Sequence, residues 1–492
     1  MRTYSRRGFM AAGAAMLATT QLPALAFGQQ MTPLRLAATR RTLDIDGRAA
    51  TVCGLAGPGG QGLVLDPGQR FRVDLTNDLD IGTIIHWHGQ IPPNAQDGVP
   101  DMPRPLLAPG ESRSYDFAPQ PGTHWMHSHV PIQEMQLLAA PLIVRRPEDV
   151  RADRQEVVLF LHDFSFRAPE EVLEEISGGH GGGGGHGARV PAMDHAGMAG
   201  MDHGASGGEA MAMPMDMGGM AMDLNDYDWD AYLANDRTLS DPEIVPVERG
   251  GRVRLRVINA AAATVFWIDT GAAAARLVAV DGHDVQPVAG TRFGLAMGQR
   301  LDIEIDLPNT GGAWPILALR EGARERTGII LSTPGAAITR LEPLAELAAP
   351  AFDIDLAQEG GLVGVDSLSA RPVDRSHMIM LGGSMQPYVW TIDGATWGEH
   401  RPIAATSGER VELAFHNMSM MGHPMHLHGH AFQVVGLNGR RFAGARRDTV
   451  YVPPMAMVTV ALDAGEAANW MLHCHHMPHL ATGMMTEFRV AA

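Results

Sequence analysis

Apolar and polar residues alternate in short runs along this chain, and three of the runs resemble one another. The stretches GQRFRVDLTN (68–77), GGRVRLRVIN (250–259) and GERVELAFHN (408–417) each start at glycine, alternate apolar with polar positions and close with asparagine. A period of two predicts a strand with one buried face, and the closing asparagine predicts a turn directly after it. Three occurrences indicate an internal repeat.

A second alternating run follows in each repeat and precedes a segment that contains tryptophan. These runs are SRSYDF before Trp125, LDIEIDL before Trp314 and VTVALD before Trp470. Short paired strands are typical of β-sandwiches, and 492 residues are enough for several of them. We therefore predict an all-β fold of three consecutive β-sandwich domains, which span residues 29–148, 149–345 and 346–492.

Residues 178–222 interrupt the middle domain. They are rich in Gly, Met and His, they show no periodicity, and they follow a predicted strand (Val157–His162) and a short predicted helix (Pro169–Ile176). Low-complexity sequence of this kind cannot form a packed core. We interpret the segment as an inserted surface loop.

The first residues predict export. Arg6 and Arg7 precede a short apolar stretch that ends near Ala24-Leu25-Ala26, which is typical of a twin-arginine signal with a cleavage site. The stretch contains Thr, Gln and Pro and is shorter than the roughly 20 apolar residues of a membrane span. We expect residues 1–28 to be the signal, the protein to be periplasmic, and no stable insertion into the membrane.

Charge and cysteine content narrow the possible partners. The formal net charge is −17, which argues against a nucleic-acid partner because such a partner requires a basic face. The chain has two cysteines, Cys53 and Cys474, and they fall in different predicted domains. The sequence does not decide whether a disulfide joins them, but Cys53 is better interpreted as a buried free thiol. Cys474 requires another explanation.

Four His-x-His pairs are the densest signal in the sequence. In a strand, residues two apart point the same way and the residue between them points to the opposite face. Each pair therefore presents two imidazoles on one face, and together they can supply eight nitrogens to one cluster. Half of them fall in the first predicted domain and half in the third, so we expect the cluster between these domains. The pairs are His86 and His88, His127 and His129, His426 and His428, and His473 and His475.

Cys474 stands between the two histidines of the last pair, so its thiolate faces away from their cluster and needs a metal of its own. His423, His479 and Met484 lie near it in sequence or in the neighbouring motif. Two imidazoles, a thiolate and a weak thioether are the ligands of a blue copper centre. Zinc sites have four closed ligands and would not explain eight further histidines.

These four motifs, in this order, resemble those of the multicopper oxidases, a family that includes laccases, ascorbate oxidase and bacterial cuprous oxidases. The likeness covers nearly the whole chain after the predicted signal. It implies three cupredoxin-like Greek-key domains and four copper ions. By that resemblance the type 1 copper is held by His423, Cys474, His479 and Met484, the type 2 copper by His86 and His426, and the type 3 pair by His88, His127, His129, His428, His473 and His475.

Five positions near the motifs qualify the resemblance. Asp97, in NAQDGVP, matches an acid that relatives keep near the cluster for proton delivery, although an aspartate before glycine is equally typical of a turn. Relatives often keep a second acid directly after the last type 1 histidine, and here that residue is Leu480. His124, His430 and His476 lie beside the motifs but off the ligand spacing, so we expect them outside the ligand set.

The resemblance implies an oxidase that takes single electrons from a reductant at the type 1 copper. Cys474, His473 and His475 would pass them to the cluster, where dioxygen is reduced to water. We expect cuprous ion as the substrate, because thioethers select Cu(I) and methionines are concentrated in two places. Nine of them lie in residues 178–222, and Met418, Met420 and Met421 stand directly before His423.

Two other functions stay open. A laccase-like oxidase of phenols or aromatic amines would use the same copper core with a small aromatic reductant. A copper-binding storage protein without turnover is a different class, which the paired electron-transfer motifs disfavour. In each case we expect a monomer.

Overall fold

The computed structural model describes residues 32–178 and 224–492, and this part of the chain is built mainly from strands. The predicted export signal lies outside the described residues, as do residues 179–222 of the predicted insert. No helix in the described part is long and apolar enough to cross a membrane.

Two sheets form the first sandwich, and a short helix follows its second His-x-His pair. Its elements are β1 (Leu34–Ile45), β2 (Arg48–Gly57), β3 (Gly60–Gln61), β4 (Leu63–Leu65), β5 (Phe71–Asn77), β6 (Ile85–His88), β7 (Val99–Pro100), β8 (Pro103–Arg104), β9 (Ser112–Phe117), β10 (Gly122–Ser128), α1 (Pro131–Met135), β11 (Ala139–Val144) and α2 (Pro147–Arg151). The strand orders are β3-β2-β1-β5-β9 and β4-β11-β10-β6, and β7 pairs with β8.

The middle sandwich has a six-stranded and a five-stranded sheet. Its elements are β12 (Gln155–Phe164), α3 (Pro169–Ser177), β13 (Ala231–Ala234), β14 (Ile244–Pro246), β15 (Arg252–Asn259), β16 (Phe266–Asp269), β17 (Ala274–Val280), β18 (His283–Gly290), β19 (Arg292–Leu295), β20 (Arg300–Asp306), β21 (Ala313–Arg320) and β22 (Arg326–Ser332). The orders are β13-β12-β15-β20-β17-β18 and β14-β22-β21-β16-β19.

The last sandwich repeats this plan. Its elements are α4 (Ala357–Gly360), β23 (Arg375–Met385), β24 (Tyr388–Ile392), β25 (Ile403–Thr406), β26 (Arg410–Asn417), β27 (His423–Leu427), β28 (Phe432–Leu437), β29 (Arg440–Arg441), β30 (Arg446–Arg447), β31 (Thr449–Val452), β32 (Met457–Asp463), β33 (Asn469–Cys474), α5 (Met477–Ala481) and β34 (Met485–Ala491). The orders are β24-β23-β26-β32-β28-β29, with β30 on β28, and β25-β34-β33-β27-β31.

The sequence repeat corresponds to one strand at the same place in each sandwich. β5, β15 and β26 each pair in parallel with the first strand of their sheet, which is β1, β12 or β23. On the other side each pairs in antiparallel with the second repeated run, which is β9, β20 or β32. The prediction of an all-β protein with three cupredoxin-like sandwiches is confirmed.

The asparagine that closes each repeat is buried, and its side chain fixes the turn after the strand through hydrogen bonds. We call this arrangement the asparagine bracket. Asn77, Asn259 and Asn417 are fully buried, and each side-chain oxygen accepts the backbone N–H two residues later. Each amide nitrogen donates to carbonyl oxygens of the following loop and of a second, more distant segment. Buried polar groups require such partners, which explains why the same residue type recurs.

The cores are only partly separate. Apolar residues between the two sheets of the first sandwich form one cluster, whereas those of the middle and last sandwiches form a continuous one. Leu34–Ala492 is accordingly one compact unit. The exact boundaries near residues 148 and 345 stay predictions.

Candidate metal centre

Two pairs of adjacent strands bring the His-x-His motifs together. β6 pairs with β10, which sets His86 opposite His127, and β27 pairs with β33, which sets His426 opposite His473. Opposite residues in an antiparallel pair share a face. The second histidine of three pairs lies just past the strand end, at His129, His428 and His475, so these pairs are only half in regular strand. All eight imidazoles are nevertheless buried.

Two of the closest contacts in the cluster join bare ring nitrogens. The Nε2 atoms of His86 and His426 lie 3.3 Å apart. On the outer side of these rings, Nδ1 of His86 donates to the carbonyl oxygen of Asp97, and Nδ1 of His426 donates to that of Asp448, both at 2.9 Å. Each Nε2 therefore carries a lone pair, and two lone pairs cannot bond each other. A cation between them satisfies both.

The same arrangement recurs between His428 and His473, whose Nε2 atoms are 3.1 Å apart. Nδ1 of His428 donates to the Asp97 carboxylate, and Nδ1 of His473 donates to the carbonyl of Cys474, both at 2.9 Å. Among the described residues, Nε2 of His129 has no hydrogen-bond partner, and it completes a three-nitrogen group with these two histidines.

The other three histidines form a further group. His88 donates from Nε2 to Asp448 at 3.1 Å or to the Thr449 hydroxyl at 3.0 Å, and in the described part of the chain its Nδ1 has no partner. His127 donates from Nδ1 to the carbonyl of Ser128, and no described residue contacts its Nε2 through a hydrogen bond. Neither ring nitrogen of His475 has a hydrogen-bond partner within the described residues. Ring centroids in this group are 5.0–5.6 Å apart.

Burial keeps these imidazoles neutral, which is the state that binds a metal. It lowers the pKa well below the ordinary value for six of them, and neighbouring histidines add to the effect: His88, His127, His129, His428, His473 and His475. Burial also lowers the pKa of His426, although Asp448 partly opposes the shift.

Three buried carboxylates surround the cluster. Asp97, which the sequence analysis singled out, has one oxygen 2.9 Å from Nδ1 of His428 and the other 3.4 Å from Nδ1 of His86. Asp448 contacts His88 and forms an ion pair with Arg300 at 2.5 Å. Glu134 lies 2.8 Å from Nδ1 of His127, and burial raises its pKa well above the ordinary value. The proton-delivery role of Asp97 stays a prediction.

Cys474 points away from the cluster and forms a second site. Its Sγ atom is 3.7 Å from Nδ1 of His423 and 3.6 Å from Nδ1 of His479, and these two nitrogens are 3.2 Å apart. Nε2 of His423 donates to the Ser419 hydroxyl at 2.8 Å, so its Nδ1 is bare. Burial raises the pKa of the Cys474 thiol, so a thiolate here requires a nearby cation.

The methionines named from the sequence differ in exposure. Met484 is fully buried, and its backbone carbonyl accepts the Cys474 N–H at 3.0 Å, which holds the residue beside the second site. Met418 is 50% exposed and Met420 is 37% exposed, so both thioethers reach the surface. Met421 is buried, which does not suit the predicted contact with an incoming ion.

Four residues outside the predicted ligand set surround His479, and His476 is the one among them that was named from the sequence. The imidazole is stacked between the rings of Trp390, at 4.0 Å, and His476, at 3.8 Å. Its Nε2 atom lies 3.5 Å from a carboxylate oxygen of Asp226, which also accepts the hydroxyl proton of Tyr388. The side chains of His479 and Asp226 are both 0% exposed. Asp226 is more than 250 residues away from His479 along the chain, so no local spacing could have indicated it.

Sequence models of the multicopper oxidases match residues 39–149, 158–339 and 370–492. The chain belongs to the multicopper oxidase family. The matched segments carry the ligand motifs at both ends and the ligand-free sandwich in the middle. Members of this family bind copper in type 1, type 2 and type 3 sites, and the bare nitrogens and the buried thiol described above fit that cofactor. The protein is therefore a copper-dependent oxidoreductase.

Several characterised proteins are similar over most of their length. The chain is 29% identical to multicopper oxidase MmcO of Mycobacterium tuberculosis over 424 residues, which is 85% of this chain and 79% of that protein. It is 24% identical to copper resistance protein A of Escherichia coli, with 86% of each chain covered. It is 23% identical to laccase-2 of Botryotinia fuckeliana, with 87% of this chain and 76% of that protein covered.

Solved structures show the same fold. Fet3p, a multicopper oxidase that functions in iron import, matches with a TM-score of 0.72 and 16% identity over 93% of this multicopper oxidase and 90% of its own chain. The laccase from Botrytis aclada matches with a TM-score of 0.72 and 19% identity over 92% and 87%.

Proposed function

We propose that this multicopper oxidase oxidises cuprous ion and uses the electrons to reduce dioxygen to water. The observation that carries the choice of substrate is the burial of His479, together with exposed thioethers within five residues of His423 in the sequence. The similarity to three copper resistance proteins A adds support. In keeping with a copper-tolerance role, we propose a periplasmic location, which rests on the export signal predicted for residues 1–28.

We assign the copper ligands from the geometry of the bare nitrogens and from the family pattern. When bound, the copper ions supply one-electron transfer from the reductant and the four-electron reduction of dioxygen. His423, Cys474, His479 and Met484 would hold type 1 copper, His86 and His426 type 2 copper, and the type 3 pair would be held by His88, His127, His129, His428, His473 and His475.

Cys474 links the two sites through the backbone. Its side chain faces His423 and His479, while its peptide neighbours His473 and His475 face the cluster. The carbonyl of Cys474 also accepts the Nδ1 proton of His473 at 2.9 Å. Cys474 is therefore connected to the cluster by a covalent path through its peptide bonds and by a hydrogen bond to His473, and both could carry electrons from the second site. A storage protein would need neither, which favours an oxidase.

The shielding of His479 disfavours a phenol as the substrate. An aromatic reductant has to approach the imidazole closely, but His479 is fully buried: Asp226 lies at its Nε2 edge and accepts the Tyr388 hydroxyl proton, and two rings stack on its faces. A metal ion can be held some distance away, because its electron needs only a short protein path to the type 1 ligands. The exposed thioethers of Met418 and Met420 lie within five residues of His423 and prefer Cu(I) over harder cations.

The experiment compares Cu(I) and a phenol as substrates of one copper-loaded protein. In the Met418→Leu/Met420→Leu variant we expect the KM for Cu(I) to rise about tenfold, with kcat little changed, because substrate binding alone is weakened. The kcat/KM for the phenol should stay within about twofold of the unmodified protein. Met378→Leu, at a methionine of similar exposure on β23, is the matched control and should leave both substrates unaffected.

Unchanged Cu(I) kinetics in the double variant, together with faster oxidation of the phenol than of Cu(I), would contradict the proposal. That result would favour the laccase-like function. The similarity of the chain to fungal laccases is consistent with that alternative.

A further inference from the structure

We infer that Glu134 is a positioning residue for the cluster, whose carboxyl group orients His127 and His475 toward one type 3 copper. The inference rests on the ligand assignment proposed above. It concerns a residue outside the four motifs, on the helix that follows the second of them.

The helix α1 places Glu134 where two motif-bearing segments meet. It starts two residues after His129, with Pro131 in its first turn, and its short length turns Glu134 back toward the preceding strand. There α1 packs against α5, the helix that follows the His-Cys-His motif and carries His479. One side chain on α1 can therefore reach imidazoles of the first and the last sandwich.

The carboxyl group contacts both of these imidazoles. Oε2 lies 2.8 Å from Nδ1 of His127, and Oε1 lies 3.9 Å from Nδ1 of His475. All three side chains are at most 1% exposed. Nδ1 of His127 donates its proton to the carbonyl of Ser128 at 3.0 Å, so the contact with Oε2 of Glu134 is a charge contact and not a hydrogen bond.

His475 depends on Glu134 more than His127 does. The other ligand rings of its group have a backbone carbonyl, a hydroxyl or a carboxylate on the outer side. In the described part of the chain, His475 has no hydrogen-bond partner at either nitrogen, and Glu134 is its one carboxylate neighbour within 4 Å. A ligand imidazole is normally oriented by such an outer partner.

The charge around Glu134 points to the metal as well. Asp448, the comparable acid beside His88, is balanced by the guanidinium of Arg300. Among the described residues, the ion-pair partners of Glu134 are His127 and His475, and no arginine is near enough to pair with it. Buried charges are paired or serve a metal ion. A copper ion held by the two imidazoles would be a cation that this carboxylate can balance.

The test measures copper content and spectra of Glu134→Gln and Glu134→Leu without any substrate. Glu321→Gln is the matched control, since Glu321 is another buried glutamate, and it accepts the Phe352 N–H rather than a ligand imidazole. In Glu134→Leu we expect about 10–100-fold weaker retention of one copper against a chelator, the usual cost of losing an outer partner. The magnetic coupling of the type 3 pair should be lost, so its copper becomes visible by electron paramagnetic resonance. The type 1 absorption should stay.

Glu134→Gln should fall between Glu134→Leu and the unmodified protein, because an amide keeps a polar contact with His127 and His475 but carries no charge. A merely structural role would lower the unfolding midpoint of both variants without changing the type 3 signal. Normal copper retention and a normal type 3 signal in both variants would overturn the inference, and if the leucine variant does not fold, the glutamine variant decides. A wrong substrate assignment would leave these readouts unaffected, whereas a wrong ligand assignment would appear as missing type 3 copper in the unmodified protein.

Discussion

At the residue scale, the contact on the outer side of each imidazole decides which of its nitrogens is free for copper. His86 and His426 donate from Nδ1 to backbone carbonyls and present Nε2, whereas His88 donates from Nε2 and presents Nδ1. The ligand residues alone do not determine this choice of tautomer. It is made by Asp97, Asp448 and nearby carbonyl groups, as is common for metal-bound histidine.

Replacing Cys474 by serine should affect the type 1 site and leave the copper content of the cluster unchanged. Serine cannot supply the soft thiolate, so the strong visible absorption of type 1 copper and the oxidase activity should both be lost. The cluster ligands face the other way and should keep their copper. Visible absorption and copper content per chain are the measurements. A blue serine variant would remove Cys474 from the proposed role.

The grouping of the histidines and of Cys474 could be predicted from the sequence, but their supporting partners could not. The His-x-His spacing carries its own geometric meaning, because two-residue periodicity puts both rings on one face. Asp448, by contrast, contacts a histidine 360 residues away, and Asp226 reaches His479 from the segment after the predicted insert. Only the folded chain brings these together. The acid expected after His479 is absent at Leu480, and Glu134 on another helix lies at the cluster instead.

At the scale of elements, the sequence predicted that each repeat forms a strand and that a turn follows its closing asparagine. Alternation identified β5, β15 and β26, whereas their parallel pairing with β1, β12 and β23 depends on tertiary contacts that the pattern does not encode. The asparagine predicted a turn. Its network of buried hydrogen bonds to two separate segments became visible only in the structure.

Asn259→Ala tests this bracket in the sandwich that has no copper ligands. The change removes bonds to the carbonyl oxygens of Thr264 and Leu295 and to the N–H of Ala261, and it leaves buried groups unpaired. Each such group costs about 1–3 kcal/mol, so we expect the free energy of unfolding to fall by about 3 kcal/mol. Urea denaturation measures it, with the exposed Asn309→Ala as the control. An effect no larger than that of the control would contradict the bracket role.

At the scale of the whole molecule, the middle sandwich contributes to the cluster although it carries none of the four His-x-His pairs. Arg300, at the start of β20, donates to both carboxylate oxygens of Asp448, which in turn holds His88. The ion pair lowers the pKa of Asp448 well below its ordinary value even though burial alone would raise it. The first and last sandwiches thus meet at a cluster where Arg300 of the middle sandwich balances the charge of Asp448.

Buried histidines should make the metal-free protein less stable in acid. Burial lowers the pKa of His124 to about 3 and that of His162 to about 4, and the partial burial of His283 lowers its pKa to about 4, against about 6.5 in the unfolded chain. Between these values the unfolded state binds more protons, so stability falls as pH drops from about 6.5 toward 4. Each such histidine contributes up to about 1.4 kcal/mol per pH unit, and the ligand histidines add to this.

Urea denaturation of the metal-free protein at pH 7 and pH 5 measures this dependence. His283→Gln should reduce the slope by about one proton. Equal stability at the two pH values would show that these imidazoles are not held neutral in the fold.

The most direct test of the central claim is the ratio of cuprous ion oxidised to dioxygen consumed by the copper-loaded protein. We predict that four cuprous ions are oxidised and four protons consumed for each dioxygen, with two water molecules formed and no hydrogen peroxide. The rate should lie well above the background measured with Cys474→Ser. A ratio of two with peroxide released, or uptake no faster than that background, would contradict the account.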